Sequence, residues 1–284
     1  MPELPEVEVT CRALRRSLVG QKVSSVTLRQ STLRYALPPL PHLLPGLFLR
    51  KISRRGKYLL LGFAYDAPGR RTLTSSLAGH LLCHLGMSGH FIVHSALHPP
   101  EPERHDHVDI FFESALLRYR DPRRFGVIDW IPPEKNPMRS TLLAHLGLEP
   151  LAPECNASIL HALCGARKTA IKNVLMNARL VVGIGNIYAS EILFEARIDP
   201  FRPTCSLRQR EWEVLVNAIQ HVLQRAIAAG GSSVRDFVHP NGKPGYFQMY
   251  NAAYRQKTCP RCQHDMCQAQ QSGRSTWFCP QCQR

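Results

Sequence analysis

The chain opens Met1-Pro2-Glu3-Leu4-Pro5-Glu6 and holds its first reactive groups there. An initiator Met is ordinarily removed when proline follows. Pro2 then carries a free secondary amine, which can condense with a sugar aldehyde carbon to an iminium. An α-amino group titrates near about 8, so a useful fraction is unprotonated at neutral pH. Glu3 and Glu6 lie close along the chain and can move protons. The ordinary fate of such a terminus is an acidic, loosely ordered tail.

A second set is Cys259-x2-Cys262-x16-Cys279-x2-Cys282. Two Cys-x2-Cys knuckles at this separation predict a tetrahedral four-thiolate zinc site on a β-hairpin ribbon. Cys267 does not fit the spacing and is left out. Nothing in the sequence points to export, so disulfides are not expected. A tail of this size has too little apolar surface to fold unaided, which makes the zinc structural, one ion per chain. Arg274 falls on the hairpin between the knuckles. An Arg at a hairpin tip is most often solvated; the functional reading carries it into a nucleic-acid groove.

Three glycine-flanked segments complete the list. Gly183-Ile184-Gly185-Asn186 lacks the third Gly of a dinucleotide loop, because position 188 is Tyr188. It reads as a helix–turn–helix of unusual turn length, with Asn186 capping the second helix and aiming amides at a phosphate. Leu117–Gly126 interleaves Arg118, Arg120, Arg123 and Arg124 with Tyr119 and Phe125, a pattern suited to bases, phosphates and a wedge. His84-Leu85-Gly86-Met87-Ser88-Gly89 exposes a Met on a turn, where core filling is the commoner use.

These groups need elements to hold them. The 284 residues suffice for two or three domains, and 44% hydrophobic with 20% charged residues is a globular balance. No apolar run is long enough to span a membrane, and the start is no signal peptide. Lys and Arg number 36 against 21 Asp and Glu, a net +15 that points to a polyanion, nucleic acid first. A helix is expected from Glu6 to Leu18. Strands are expected at 23–28, 47–52, 57–63, 81–87, 91–94, 108–112, 116–120 and 126–130, an all-β sandwich or barrel over about 1–132. After the proline-rich 131–137, helices at 141–146, 157–164, 169–176, 187–196, 207–228 and 233–237 make a mostly helical domain at about 138–240. The Gly242–Gly245 break precedes a cysteine-rich domain at 245–284. The whole is α+β and multidomain.

Met1–Glu8, Lys57-Tyr58, His84–Gly89, His105–Asp109, Asp121–Gly126, Gly185–Tyr188 and the four-cysteine tail occur together in one order, and in that combination the chain resembles the bacterial formamidopyrimidine-DNA glycosylase family (Fpg, or MutM), from end to end. The resemblance implies a β-sandwich, a helix-two-turn-helix domain and a zinc-ribbon finger. It implies a bifunctional base-excision enzyme that removes 8-oxoguanine and formamidopyrimidines from duplex DNA and cleaves the strand by β,δ-elimination. On that likeness Pro2 is the nucleophile at the sugar C1′, Glu3 the proton donor and acceptor, and Glu6 its support. Lys57 is a strand-borne Lys that contacts phosphate and assists β-elimination. Arg274 grips the phosphates flanking the lesion and serves δ-elimination. Met87, Arg123 and Phe125 fill the hole left by the flipped base, Arg123 facing the orphan cytosine. His84, His105, Lys168 and Asn186 contact the DNA backbone. A monomer in the bacterial cytoplasm, bound to damaged double-stranded DNA and to no membrane, is expected.

The sequence departs from the family pattern in the approach to the finger, Tyr254-Arg255-Gln256-Lys257-Thr258, which lacks glycine, and at Gln263, where Gly is usual. The neighbouring 245–254 segment, which in the family closes over the flipped base, could change with it. An insert at 67–77 lengthens the β-domain. Two other readings compete: an endonuclease VIII-like enzyme for oxidised pyrimidines, and a non-catalytic zinc protein that binds distorted DNA. Leu4, with the complete Met87, Arg123, Phe125 set, argues against the first. Intact Pro2, Glu3 and Lys57 argue against the second.

Overall fold

A computed structural model describes residues 1–66, 77–232 and 247–284. The expected helix at 233–237, the Gly242–Gly245 break and all of the 67–77 insert except Leu77 lie outside the described residues. The chain divides into two compact units. Among the described residues, one contains 1–2, 6–144 and Ser232, the other 3–5, 145–231 and 247–284.

The helix α1 (Leu4–Leu18), in the first unit from Glu6 onward, places Val7, Cys11, Leu14 and Leu18 on one stripe, all fully buried. A four-residue turn of helix, α2 (Leu40–Leu43), follows β1 (Val23–Leu28). Then come β2 (Phe48–Arg55), β3 (Tyr58–Ala64), β4 (Leu77–His84) and β5 (His90–Ser95). The unit ends with β6 (Asp106–Phe112), β7 (Ala115–Arg120) and β8 (Val127–Ile131). The strands form two four-stranded antiparallel sheets, ordered β1-β6-β7-β5 and β2-β3-β4-β8. One core takes Val108, Ile110 and Leu117 from the first sheet and Leu59, Leu61 and Leu81 from the second, which makes the unit a sandwich.

Most strand ends shift by a residue or more from expectation, and two of the shifts matter. β3 starts at Tyr58 because Gly56 and Lys57 form the two-residue turn after β2, so Lys57 sits on a hairpin turn rather than in a strand. β4 stops at His84 rather than running to Met87. Gly86 takes φ +62, and a Cβ there would lie 2.5 Å from the carbonyl carbon of Phe125, so the chain leaves the sheet.

In the second unit, α3 (Ala157–Cys164) is capped by Asn156, whose side chain accepts from Ile159 N at 3.0 Å. α4 (Ile171–Leu175) and α5 (Asn186–Ala196) follow; α5 is buried nearly all round, as a central helix is. α6 (Gln209–Ala228) is amphipathic and turns Trp212, Leu215, Ile219 and Leu223 inward. The expected helix at 141–146 is a run of turns, in which Leu143 N and Ala144 N both donate to Ser140 O. A hairpin, β9 (Cys267–Gln271) and β10 (Arg274–Phe278), turns on Ser272 and Gly273, both at positive φ (50 and 74) as a type I′ turn requires.

Candidate DNA-processing site

Glu3 departs furthest from the picture of a loose terminus. Its side chain is buried, and within the second unit its carboxylate accepts N–H groups of Gly185 (2.7 Å), Ile187 (3.1 Å) and Tyr188 (3.4 Å). Leu4 N donates to Gly183 O at 3.0 Å. The amides expected to face a phosphate therefore face Glu3, which caps α5 from 182 residues away. Gly185 is the N-cap and has no side chain to offer; a Cβ there would overlap the Glu3 carboxyl carbon. Asn186 is thus the first residue of the helix, not its cap. Pro2 is buried in the first unit, as is Glu6, whose Oε1 accepts from Ser232 N at 2.7 Å.

Lys57 belongs to a cationic cluster in the first unit. Tyr58 and His84 are cross-strand partners with ring centroids 4.7 Å apart. His84 Nδ1 accepts from Gly86 N at 3.0 Å, which leaves the proton on Nε2 as a donor. Burial first, then the charges of Lys57 and Arg34, pull His84 down to about 4. Its imidazole is neutral at pH 7. Sequence reasoning missed Arg34, which no motif flags; its charge also acts on Tyr58, whose phenol burial raises.

Met87, Arg123 and Phe125 are brought together on one scaffold. Met87 is 37% and Phe125 45% exposed, and the Arg123 guanidinium lies over the Phe125 ring, 4.8 Å from its centroid. Beneath them Asp121 is fully buried. Its Oδ1 accepts from Ser88 Oγ (2.6 Å) and Arg123 N (3.3 Å), and its Oδ2 from Gly126 N (2.8 Å) and Tyr119 OH (3.3 Å). Ser88 Oγ in turn accepts from Arg123 N at 3.1 Å. One carboxylate thus joins the Met87 turn to the Arg123–Phe125 loop. Its own backbone is fixed on both sides: Asp121 N donates to His105 O at 3.0 Å, and His107 Nε2 meets Asp121 O at 2.8 Å. His105 is half-buried just before β6.

In the second unit Lys168 is exposed between α3 and α4, and Arg274 is exposed at the start of β10. Asn186 Oδ1 accepts from Lys172 Nζ at 2.7 Å, and Asn186 Nδ2 donates to Ser275 O at 2.9 Å. Lys172 was not anticipated. Its signal was present: a Lys flanked by Ile171, Val174 and Leu175, all buried.

The ligand atoms of Cys259, Cys262, Cys279 and Cys282 lie within 4.8 Å of one another, and Cys267 is not among them. Sγ–Sγ distances are 3.8 Å for Cys259–Cys282 and 3.5 Å for Cys262–Cys279. A tetrahedron with metal–sulfur bonds of about 2.3 Å has edges of about 3.8 Å, so the thiols fit one zinc-sized ion. The approach without glycine is accommodated: Arg255 and Gln263 take the left-handed conformation (φ 62 and 63) themselves. Glu191 on α5 holds that approach, accepting from Ala252 N (2.8 Å), Ala253 N (3.0 Å) and Tyr254 N (2.7 Å). Arg261, inside the first knuckle, donates to Phe194 O at 2.7 Å and to Glu195 at 2.8 Å, closing the other end of α5.

A β-sandwich joined to a helical unit that carries a four-thiol hairpin defines a class of multidomain DNA glycosylases: residues 1–128 match the formamidopyrimidine-DNA glycosylase N-terminal domain, and residues 146–238 the H2TH domain of the same enzymes. The chain belongs to the formamidopyrimidine-DNA glycosylase family. Proteins of that name from Laribacter hongkongensis and Dechloromonas aromatica are 45% and 44% identical to it, with 100% of each chain covered. The crystal structure of MutM (Fpg) from Thermus thermophilus is similar at TM-score 0.83 and 35% identity, covering 99% of this chain and 98% of that one. Lactococcus lactis Fpg in complex with abasic-site DNA reaches 0.85 at 31% identity, covering 99% of both chains. The same Lactococcus protein has also been solved with DNA containing an oxidised pyrimidine.

Proposed function

We propose that the chain is a base-excision repair enzyme, a bifunctional DNA glycosylase and AP lyase for oxidised purines in duplex DNA. The observation that carries the reading is the Asp121 scaffold, which presents two exposed apolar side chains and a stacked Arg as one rigid wedge. A lesion base is out of reach inside the stack and must be extruded, at a cost of a few kcal/mol. Met87 and Phe125 fill the gap, and Arg123 pairs with the orphan cytosine. Lys57, His84, His105, Lys168, Asn186 and Arg274 hold the sugar–phosphate backbone, and His84 does so as a neutral Nε2–H donor.

The chemistry starts from Pro2 once Met1 is removed. Its amine attacks C1′ and the glycosidic bond breaks, with Glu3 managing the protons of base loss and ring opening and Glu6 supporting it. Loss of the ring oxygen from C1′ leaves an iminium. That iminium acidifies the C2′ hydrogen, and its removal expels the 3′-phosphate; a second elimination expels the 5′-phosphate. Lys57 and Arg274 steady the departing phosphates. Zinc, one ion on Cys259, Cys262, Cys279 and Cys282, serves as structural support. The division 1–132, 138–240 and 245–284, a monomeric state and a cytoplasmic location complete the proposal. No helix among the described residues is long and apolar enough to cross a membrane.

Borohydride trapping on an 8-oxoguanine:cytosine duplex tests it. The reduced adduct should map to the N-terminal peptide, and Pro2→Gly should bind DNA but lose most trapping. DNA attached to Lys57 would overturn the assignment of the nucleophile, and absence of any adduct would leave a non-catalytic binder. A thymine-glycol duplex run in parallel addresses oxidised pyrimidines, a reading kept open by the Lactococcus relative's complex.

A further inference from the structure

We infer that Lys172 is a positioning residue for DNA-backbone recognition: its buried ammonium locks the Asn186 carboxamide and the start of β10 into one arrangement, so that Asn186 and Arg274 meet the backbone as a fixed pair. The inference rests on the proposed backbone role of those two residues and adds the group that sets them.

Lys172 is 1% exposed, on a five-residue helix whose other buried residues are apolar. A buried ammonium is costly unless its donors are used. Here they go to Asn186 Oδ1 (2.7 Å), Thr276 Oγ1 (2.7 Å) and Ser275 O (3.2 Å). All three acceptors are neutral. Burial, and then the like charge of Arg274, bring Lys172 down to about 8, with Glu3 acting the other way. A cation held beside another cation, among neutral acceptors, is a poor device for stability, since an apolar side chain of the same length would fill the space at less cost.

What the ammonium does supply is orientation. It has donors only, so Asn186 must turn Oδ1 toward it and Nδ2 away. Nδ2 gives one hydrogen to Ser275 O at 2.9 Å and keeps its second for a phosphate oxygen. Ser275 and Thr276 directly follow Arg274, so the contacts that orient Asn186 also fix the strand from which Arg274 projects. α4 holds the hairpin at a second point, Asn173 Nδ2 to Ser272 Oγ at 3.0 Å, which sets the register of the turn. Phosphate contacts fix how a protein sits on a duplex, so an error here misplaces the lesion.

The test uses the full-length, zinc-loaded protein and a duplex carrying a tetrahydrofuran abasic analogue. Lys172→Met keeps the stem and removes the donors. Zinc content and Tm should stay at the wild-type level while affinity falls about tenfold or more, and the log–log salt slope should shrink by about 1 to 2. In a background of Asn186→Ala with Arg274→Ala, adding Lys172→Met should cost less than about threefold, because the groups it positions are gone. The same fold-loss in both backgrounds, or unchanged affinity for Lys172→Met alone, overturns the inference. If Lys172→Met does not fold, Thr276→Val removes one acceptor and is read through the same cycle. Unchanged affinity in the double-alanine background itself overturns the backbone-contact reading and, with it, this inference.

Discussion

At the scale of single residues, Glu3 combines an observed cap with the proton transfer proposed for it. Its carboxylate caps α5 through three amides, and one oxygen serves two of them. Glu3→Gln puts an NH2 group against N–H donors on one side, so the variant should lose about 1–2 kcal/mol of stability as well as proton transfer. Excision of 8-oxoguanine should be nearly abolished, with cleavage of a pre-formed abasic site retained and Tm lowered by a few degrees. Unchanged Tm would show that the cap is energetically idle. His84 gives a pH signature. The unfolded chain protonates it near 6.5 and the folded one only near about 4. Between those values the unfolded state binds more protons, so stability present above about pH 6.5 is lost as pH falls toward about 4. His84→Asn keeps an acceptor for Gly86 N without the titration, and its Tm should decline less than wild type over that window. Parallel Tm profiles for the two proteins would remove His84 from the account.

At the scale of elements, the two loops behind Met87, Arg123 and Phe125 act as one piece. Asp121→Asn cannot satisfy both the Ser88/Arg123 pair and the Gly126/Tyr119 pair, because one side of an amide is a donor. Excision from duplex should fall about tenfold or more, whereas trapping on a single-stranded abasic site, which needs no wedge, should change less than about threefold. Equal losses on both substrates would reduce Asp121 to a folding residue. Arg123→Ala should leave the scaffold intact and erode only the preference for cytosine opposite the lesion. The strands around these loops were legible because short apolar runs between Gly and Pro turns carry their own period. The four cysteines were legible from their spacing, whereas Met87, Arg123 and Phe125 stood out only through the family resemblance, because a Met on a turn and a basic loop have commoner uses. Asp121, Lys172, Glu191 and Arg261 were not, because what they do depends on partners tens to more than a hundred residues distant. The Asn186 cap was misread for the same reason: nothing local announces that a carboxylate from position 3 fills that place.

At the scale of the molecule, residues 247–284 fall in the same compact unit as 145–231. α5 is the spine of that unit. Glu3 holds its first turn, Asn186 in that turn binds the β10 backbone, Glu191 holds the approach to the finger, and Arg261 binds the Phe194 carbonyl near its end. The apolar cluster beneath the knuckles is small, with Phe194, Ala253, Cys259 and Cys279 at its centre. Such a cluster is too small to order residues 247–284 by itself, so the zinc proposed for the four cysteines would supply much of the folding free energy there. Chelating the metal should therefore do more than release the finger. Arg261 and the 252–254 amides should leave α5, and the second unit should melt at lower temperature while the sandwich, with its own core, melts as before. Cys279→Ser should reproduce that split and abolish DNA binding, whereas Cys267→Ser should leave both the metal content and the two transitions unchanged. Calorimetry with zinc quantification reads all of these. A metal-free protein that keeps a single wild-type transition and wild-type DNA affinity would mean that the side-chain anchors along α5, not the metal, hold the finger in place.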